Sequence, residues 1–309
     1  MNTQIEHIAA QLMANNRNNK SITSRHPDKS VILQLIKQLQ QVLFPEYFET
    51  GCSQNRTMKY RLHSLLDEIS SELAEQVSLA LPFSTHYQSC ESEAIKRASD
   101  EISLHFLSKL PVVKEYLEAD VEAAYSGDPA AFSRSEIIIS YPGLYAVMVY
   151  RLAHELHLLS VPLIPRIMTE QAHNVTGIDI HPGAVIGKHF FMDHGTGIVI
   201  GETTVIGEHV KIYQGVTLGA LSTSGGQKLK SVKRHPTICD RVTIYSGASI
   251  LGGETVIGEN AVIGGNAFVI ASIPANTKVS IKNPELRYKN GSPSEGKRPN
   301  SPEDWFYMI

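Results

Sequence analysis

From Ile178 onward, apolar residues, mostly Ile and Val, return every six positions, and that period limits what the chain can fold into. Ile180, Ile186, Met192 and Ile198 form one series, Ile200, Ile206, Ile212 and Leu218 a second, and Ile238, Ile244, Ile250, Val256, Val262 and Phe268 a third. A helix repeats at about 3.6 residues, so a strict period of six is not helical. It is also too short to alternate helices with strands, so each unit must be one short strand and a turn. Three units close one triangular coil, and stacked coils turn the repeating Ile or Val inward, which predicts a parallel β-helix. The glycines in Ile186-Gly187, Ile200-Gly201, Ile206-Gly207, Ile257-Gly258 and Ile263-Gly264 are expected to supply backbone freedom at the corners. A β-sandwich would instead alternate over longer strands with irregular turn spacing. The register breaks between Gly219 and His235, where Ala220 to Lys233 is rich in Ser, Gly and Lys, as in an excursion from the coil that is by default a solvated loop.

The chain before this repeat reads as helical. Ile32, Leu35, Ile36, Leu39 and Leu43 fall three or four apart, as do Leu62, Leu65, Leu66, Ile69, Leu73 and Val77 between Tyr60 and Ala80. A third stripe, Ile95, Ala98, Ile102, Phe106 and Leu110, is expected to end at Pro111, with further helices over Val113 to Tyr125 and Leu144 to Leu159. The expected class is therefore α+β multidomain. A helical oligomerisation domain over 1–170 precedes a β-helix over 171–281, and a polar, Pro/Gly-rich tail over 282–309 ends in the apolar run Trp305 to Ile309.

Composition excludes several partners. A net charge of −3 offers no basis for nucleic-acid binding. The start, Met1 to Gln11, lacks a signal-peptide pattern, and no stretch approaches the roughly 18 apolar residues of a membrane span, so a cytoplasmic protein is expected. Cys52, Cys90 and Cys239 are few and widely spaced, as reduced thiols would be.

With aliphatic side chains inside, polar residues on the coil surface are free for chemistry. They cluster in Asp179-Ile180-His181-Pro182, Met192 to Gly197, Gly201-Glu202-Thr203 and Lys233-Arg234-His235-Pro236. His194 is the candidate general base. A carboxylate on its second ring nitrogen would orient it, and Asp179, fifteen residues earlier and close to one coil away, is the candidate partner. The plainer readings stand beside these: Asp179 and Asp193 can simply cap turns, and Asp128 before Pro129 can mark only a helix boundary. His181, His189 and His209 read as solvent-facing corner residues.

The run from Ile178 to Thr203, with Asp-Ile-His-Pro, Asp-His-Gly-Thr-Gly and Gly-Glu-Thr, resembles the core of the serine O-acetyltransferases, hexapeptide-repeat enzymes of cysteine biosynthesis. Arg234-His235-Pro236 and Asp128-Pro129 are similar to that family's pattern too. The resemblance implies a left-handed β-helix, His194 as general base with Asp179 as its partner, and Asp128, Asp193, Arg234 and His235 as the L-serine site. It also implies acetyl-CoA as co-substrate and no metal. Backbone groups near Gly219, Ala220, Ser246 and Gly265 are expected to hold the coenzyme, with Lys228, Lys230 or Lys233 meeting phosphate. A homotrimer or dimer of trimers, feedback inhibition by L-cysteine, and docking of Ile309 into O-acetylserine sulfhydrylase are further implications. Tyr245-Ser246 departs from the pattern, standing where small residues are usual. Three other readings are an acetyltransferase for another hydroxyl acceptor, a γ-carbonic-anhydrase-like metal enzyme using His189 and His194, and a catalytically silent scaffold.

Overall fold

The computed structural model describes residues 2–16, 26–48, 58–230 and 232–281; Cys52 and the tail with Ile309 lie outside them. Among the described residues the helices are α1 (Asn2–Asn16), α2 (Lys29–Leu43), α3 (Pro45–Phe48), α4 (Met58–Ala80), α5 (Ser92–Gly127), α6 (Arg134–Ser140), α7 (Pro142–Leu158) and α8 (Ile164–Thr176). Asp28 caps α2 by accepting from the Ser30 amide at 2.8 Å, and the predicted stripe from Ile32 to Leu43 is buried.

α5 differs from expectation, because it continues through Pro111 where two helices were expected. Proline removes one intrahelical donor. Phe106 and Leu110 before it and Val113, Leu117 and Val121 after it are all buried, so packing of both halves on one core outweighs the lost bond. α8 is not among the expected helices, although Ile164, Ile167, Met168 and Ala172 fall three or four apart and pack on the core. α8 ends on Gly177 in the left-handed conformation, and the coil begins two residues later.

The strands are β1 (Asp179–Ile180), β2 (Val185–Ile186), β3 (Phe191–Asp193), β4 (Val199–Ile200), β5 (Val205–Ile206), β6 (Lys211–Tyr213), β7 (Thr217–Gly219), β8 (Thr237–Ile238), β9 (Thr243–Ile244), β10 (Ser249–Leu251), β11 (Val256–Ile257), β12 (Val262–Ile263), β13 (Phe268–Val269) and β14 (Lys278–Val279). They form the three faces of a left-handed prism, each a parallel sheet: β1-β4-β7-β10-β13, β2-β5-β8-β11, and β3-β6-β9-β12-β14. Every third strand pairs, as three strands per coil require, up to the last coil, where β12 pairs β14 because the rung between β13 and β14 is reduced to the single bridge of Ile273 to Ile257. The excursion leaves between β7 and β8 and contains one 3-10 turn, Gly226–Leu229.

Inward positions come in pairs two residues apart, such as Ile178 with Ile180 and Val210 with Ile212. The first two series hold, but the third turns inside out after Ile250. Val256 and Phe268 face outward, and Ile257, Ile263 and Val269 fill the core instead. The cause is one extra residue at Gly252-Gly253, where Gly252 takes φ +106°. With a side-chain period of two, a one-residue slip exchanges the faces.

The corner glycines also act differently from expectation. Gly187, Gly201, Gly207 and Gly258 do not take positive φ; the left-handed corner positions are held by His189, His194, His209, Arg241, Asn260, Asn266 and Asn276, together with other glycines such as Gly197, Gly215 and Gly247. What those glycines provide is the absence of a Cβ, which at Gly187 would lie 2.6 Å from the Gly207 carbonyl oxygen of the next coil.

α7 fastens the helices to the first coil. Tyr150 donates to the Ala184 carbonyl at 2.7 Å, and His154 Nδ1 lies 2.8 Å from the Pro182 carbonyl. Arg151 forks onto Asp120 of α5 at 2.7 and 2.9 Å and donates to the carbonyls of Ile186 and Gly187. Asp120 also accepts the Phe190 amide at 2.9 Å.

Candidate active site

The corner after β3 is two residues longer than those stacked on it: Met192 to Ile200 spans eight positions where Ile212 to Leu218 spans six. The additional length, with Gly195 and Gly197 at positive φ, lifts His194 outward, and its side chain is 58% exposed. The acid within reach of the ring is Asp193, whose Oδ1 lies 3.8 Å from His194 Nε2. Asp179 sits on β1, paired with Val199, and makes no side-chain hydrogen bond or ion pair among the described residues. The expected acid and base thus lie in adjacent coils without a direct bond.

Two residues not singled out from the sequence complete this edge. Lys211, on β6, lies 3.5 Å from Asp193 Oδ2 and donates to the Gly127 carbonyl at 2.6 Å, tying the end of α5 to the coil. Tyr141 donates to Asp128 Oδ2 at 2.6 Å, while the Ala130 amide holds Oδ1 at 2.8 Å. Burial, then the Asp128 carboxylate, pushes the Tyr141 phenol up, so it stays a donor. Asp193 contributes in the same direction, which places Tyr141 in the field of both acids. Asp128, Asp193 and His194 therefore share one edge of the prism.

Arg234 and His235 stand on a different edge, with β4 between. Arg234 pairs with Glu202 and donates to the Leu229 carbonyl at 3.0 Å. His235 Nδ1 receives the Thr203 amide at 3.1 Å. His181 is half-buried rather than solvent-facing, because it stands edge-on to His157 at a ring separation of 6.2 Å in the junction with α7. Burial draws His181 down to about 4 against the opposing pull of Glu202, and burial and Arg234 draw His235 down to about 4. Burial, then His154, lowers His157 as well.

These imidazoles bind protons less readily folded than unfolded, so the stability they contribute is full above their usual value near 6.5 and is lost as pH falls below it. Urea midpoints are expected to drop between about pH 7.5 and pH 5, and His181→Gln should flatten that slope. An unchanged slope in the variant would remove His181 from this account.

The expected coenzyme residues divide between the same two edges. Two positions beyond the inward Met192, Ile212, Ile244 and Ile263 stand His194, Gln214, Ser246 and Gly265, so side chains shorten along the stack away from the base. A Cβ at Gly265 would press to 3.2 Å on the Ser246 carbonyl oxygen. Tyr245, which departs from the family's small residue, stacks on Tyr213 at 5.0 Å beside Ser246. Gly219 and Ala220 lie at the other edge, where the excursion starts. Lys228 and Lys230 are exposed, whereas Lys233 is turned onto the carbonyls of Thr203 and Pro236 at 2.7 and 3.2 Å. His189 and His194 occupy opposite ends of β3, with His189 stacked on His209 at 4.2 Å. No group of three or more His, Cys, Asp or Glu side chains is placed to hold a metal ion among the described residues.

No protein-family profile matches the chain. It is 44% identical over 226 residues to the plasmid-encoded serine acetyltransferase of Synechococcus elongatus, covering 71% of this chain and 70% of that one. Serine acetyltransferase 1 of Entamoeba histolytica, solved with L-cysteine, superposes with a TM-score of 0.69 at 39% identity, covering 80% of this chain and 86% of that one. The serine acetyltransferase of Neisseria gonorrhoeae, solved with serine, does so at 0.53 and 29% identity, covering 80% and 95%. The likeness is long enough to take in both the helices and the prism, and it places the chain in a family: the chain belongs to the serine acetyltransferases.

Proposed function

We propose that the chain moves the acetyl group of acetyl-CoA to the hydroxyl of L-serine, giving O-acetylserine and free coenzyme A, with His194 as general base. The observation that carries the reading is the exposed imidazole on a lengthened corner, flanked by Asp193 and with Asp128 on the same edge. His194 takes the hydroxyl proton as the serine oxygen attacks the thioester carbonyl. The C–S bond then breaks, and the departing thiolate takes the proton back. Asp179, in the adjacent coil, orients the imidazole once reactants close the site. Direct transfer needs neither an acyl-enzyme nor a metal.

Asp128 and Asp193 suit the serine ammonium, and the Arg234 guanidinium with His235 suits its carboxylate. One chain holds these sets on different edges, so the complete site requires a neighbour. A homotrimer, alone or paired into a hexamer, would set the His194 edge of one chain against the Arg234 edge of the next. Outward apolar side chains support such packing: Val185, Val199, Val205 and Phe268 are exposed on two faces. The short side chains at Ser246 and Gly265, with Gly219 and Ala220 across the same junction, suit the coenzyme arm.

L-Cysteine shares the ammonium and carboxylate of serine and would compete in the serine site. Docking of Ile309 into O-acetylserine sulfhydrylase is tested by pull-down with and without the last residues of the tail; equal capture rejects it. No helix among the described residues is long and apolar enough to cross a membrane, in keeping with a cytoplasmic enzyme.

Thiol release from acetyl-CoA, measured with L-serine, D-serine, homoserine and galactosides, tests the acceptor. L-Serine should be preferred by at least about tenfold in kcat/KM, over galactosides because they lack both charged groups, and over D-serine and homoserine because, held by the same two groups, they place the hydroxyl away from the base. Equal or faster release with a galactoside would overturn the assignment.

A further inference from the structure

The Gly201-Glu202-Thr203 turn has a role that the proposed chemistry leaves unassigned. Each of its residues meets the Arg234-His235 segment. A Cβ at Gly201 would run into the His235 ring, so the imidazole lies directly on that backbone. Glu202 pairs with Arg234. The Thr203 hydroxyl accepts the Arg234 amide at 2.9 Å and the His235 amide at 3.1 Å, and it stands 2.9 Å from His235 Nδ1.

A hydroxyl has two lone pairs and one proton. Both lone pairs are taken by backbone amides, so the proton must go to Nδ1. The Thr203 amide points at the same nitrogen from 3.1 Å. With two donors aimed at it, Nδ1 has no room for a proton of its own, and the ring's one proton must sit on Nε2. Among the described residues no group in the chain bonds Nε2.

We infer that Thr203 is a positioning residue that locks His235 as a neutral imidazole with its proton on Nε2, presenting a fixed donor to the substrate carboxylate. The inference rests on the carboxylate-binding role given above to Arg234 and His235. The charged groups facing the ring act in both directions: Arg234 and Lys233 from the excursion disfavour a second proton and Glu202 favours it. The Thr203 pair of donors works on the side of the two cations, and burial works with them.

The test uses full-length protein carrying 15N-labelled histidine, with the His235 signals assigned by their loss in His235→Asn. Two-bond 1H–15N correlation should show the Nε2–H form throughout about pH 5–8 in the wild type. Thr203→Val keeps the side-chain shape and removes the hydroxyl. It should bring a mixture of tautomers or a titration into that range and raise KM for L-serine about 2- to 10-fold, the cost of one neutral hydrogen bond. KM for acetyl-CoA should stay within about twofold, and Thr203→Ser should restore both readouts. A wild-type ring protonated on Nδ1, or a valine variant with unchanged tautomer and KM, would overturn the inference. The tautomer is read without substrate, so it stands even if L-serine fails as acceptor, in which case only the acceptor assignment falls.

Discussion

Replacing His194 with asparagine is expected to lower kcat roughly 10²–10⁴-fold, the usual span of general-base catalysis, while KM for L-serine moves by less than about threefold. Asparagine tolerates the left-handed backbone that His194 adopts at φ 57°, so this change removes the base without straining the corner. The side chain is 58% exposed, and its loss opens no cavity in the core. Thermal midpoints should therefore match within about two degrees, separating a chemical defect from a folding defect. A variant retaining a tenth or more of wild-type turnover would remove the imidazole from the reaction and leave the fold as the sole support for the assignment.

Asp120→Ala should cost about 3–5 kcal/mol of stability, because it strands a guanidinium that has no water to turn to. Arg151 is 6% exposed and Asp120 1%, and the pair is joined by two parallel bonds. Burial pushes the Asp120 carboxyl up, while the Arg151 fork and the Phe190 amide pull it back. The cluster ties α5 and α7 to the carbonyls of Ile186 and Gly187, so its loss should loosen the helices from the first coil before the remaining coils melt. Hydrogen exchange should show early opening over residues 182–190. The double variant Asp120→Leu, Arg151→Met should regain much of the loss, since an apolar pair of similar volume carries no stranded charge. Equal destabilisation by the single and double changes would mean that the carbonyl contacts, not the charge pair, carry the effect.

The prism was legible because its code is local: each inward residue follows the last by six, and every rung touches only the next. The same locality explains the failure after Ile250. A single inserted residue at Gly252-Gly253 leaves the period intact but changes which side it describes, and Val256, Val262 and Phe268 remained plausible as core. Pro111 misled for the opposite reason, since helix-breaking chemistry is local whereas the packing that overrides it is not. His194, Asp128 and Arg234 were singled out through motif likeness. Tyr141 and Lys211 were not, because what joins them to Asp128 and Asp193 is the fold of α5 onto β3 and β6, which no short spacing encodes. Strand register would have offered Lys211, which pairs opposite Phe191, two positions before Asp193.

The unequal corner after β3 bears on how such a molecule can change its chemistry. The bend after β3 carries its additional residues outward while the inward pairs on either side keep their places, so length can be added at an open bend of this kind at a cost set mainly by loop entropy, which grows slowly. New side chains can thus be raised to the height of a reacting group without disturbing a single interior contact. Altering acceptor preference in this scaffold is a problem of trimming bends, and the stacked aliphatic column need not be redesigned.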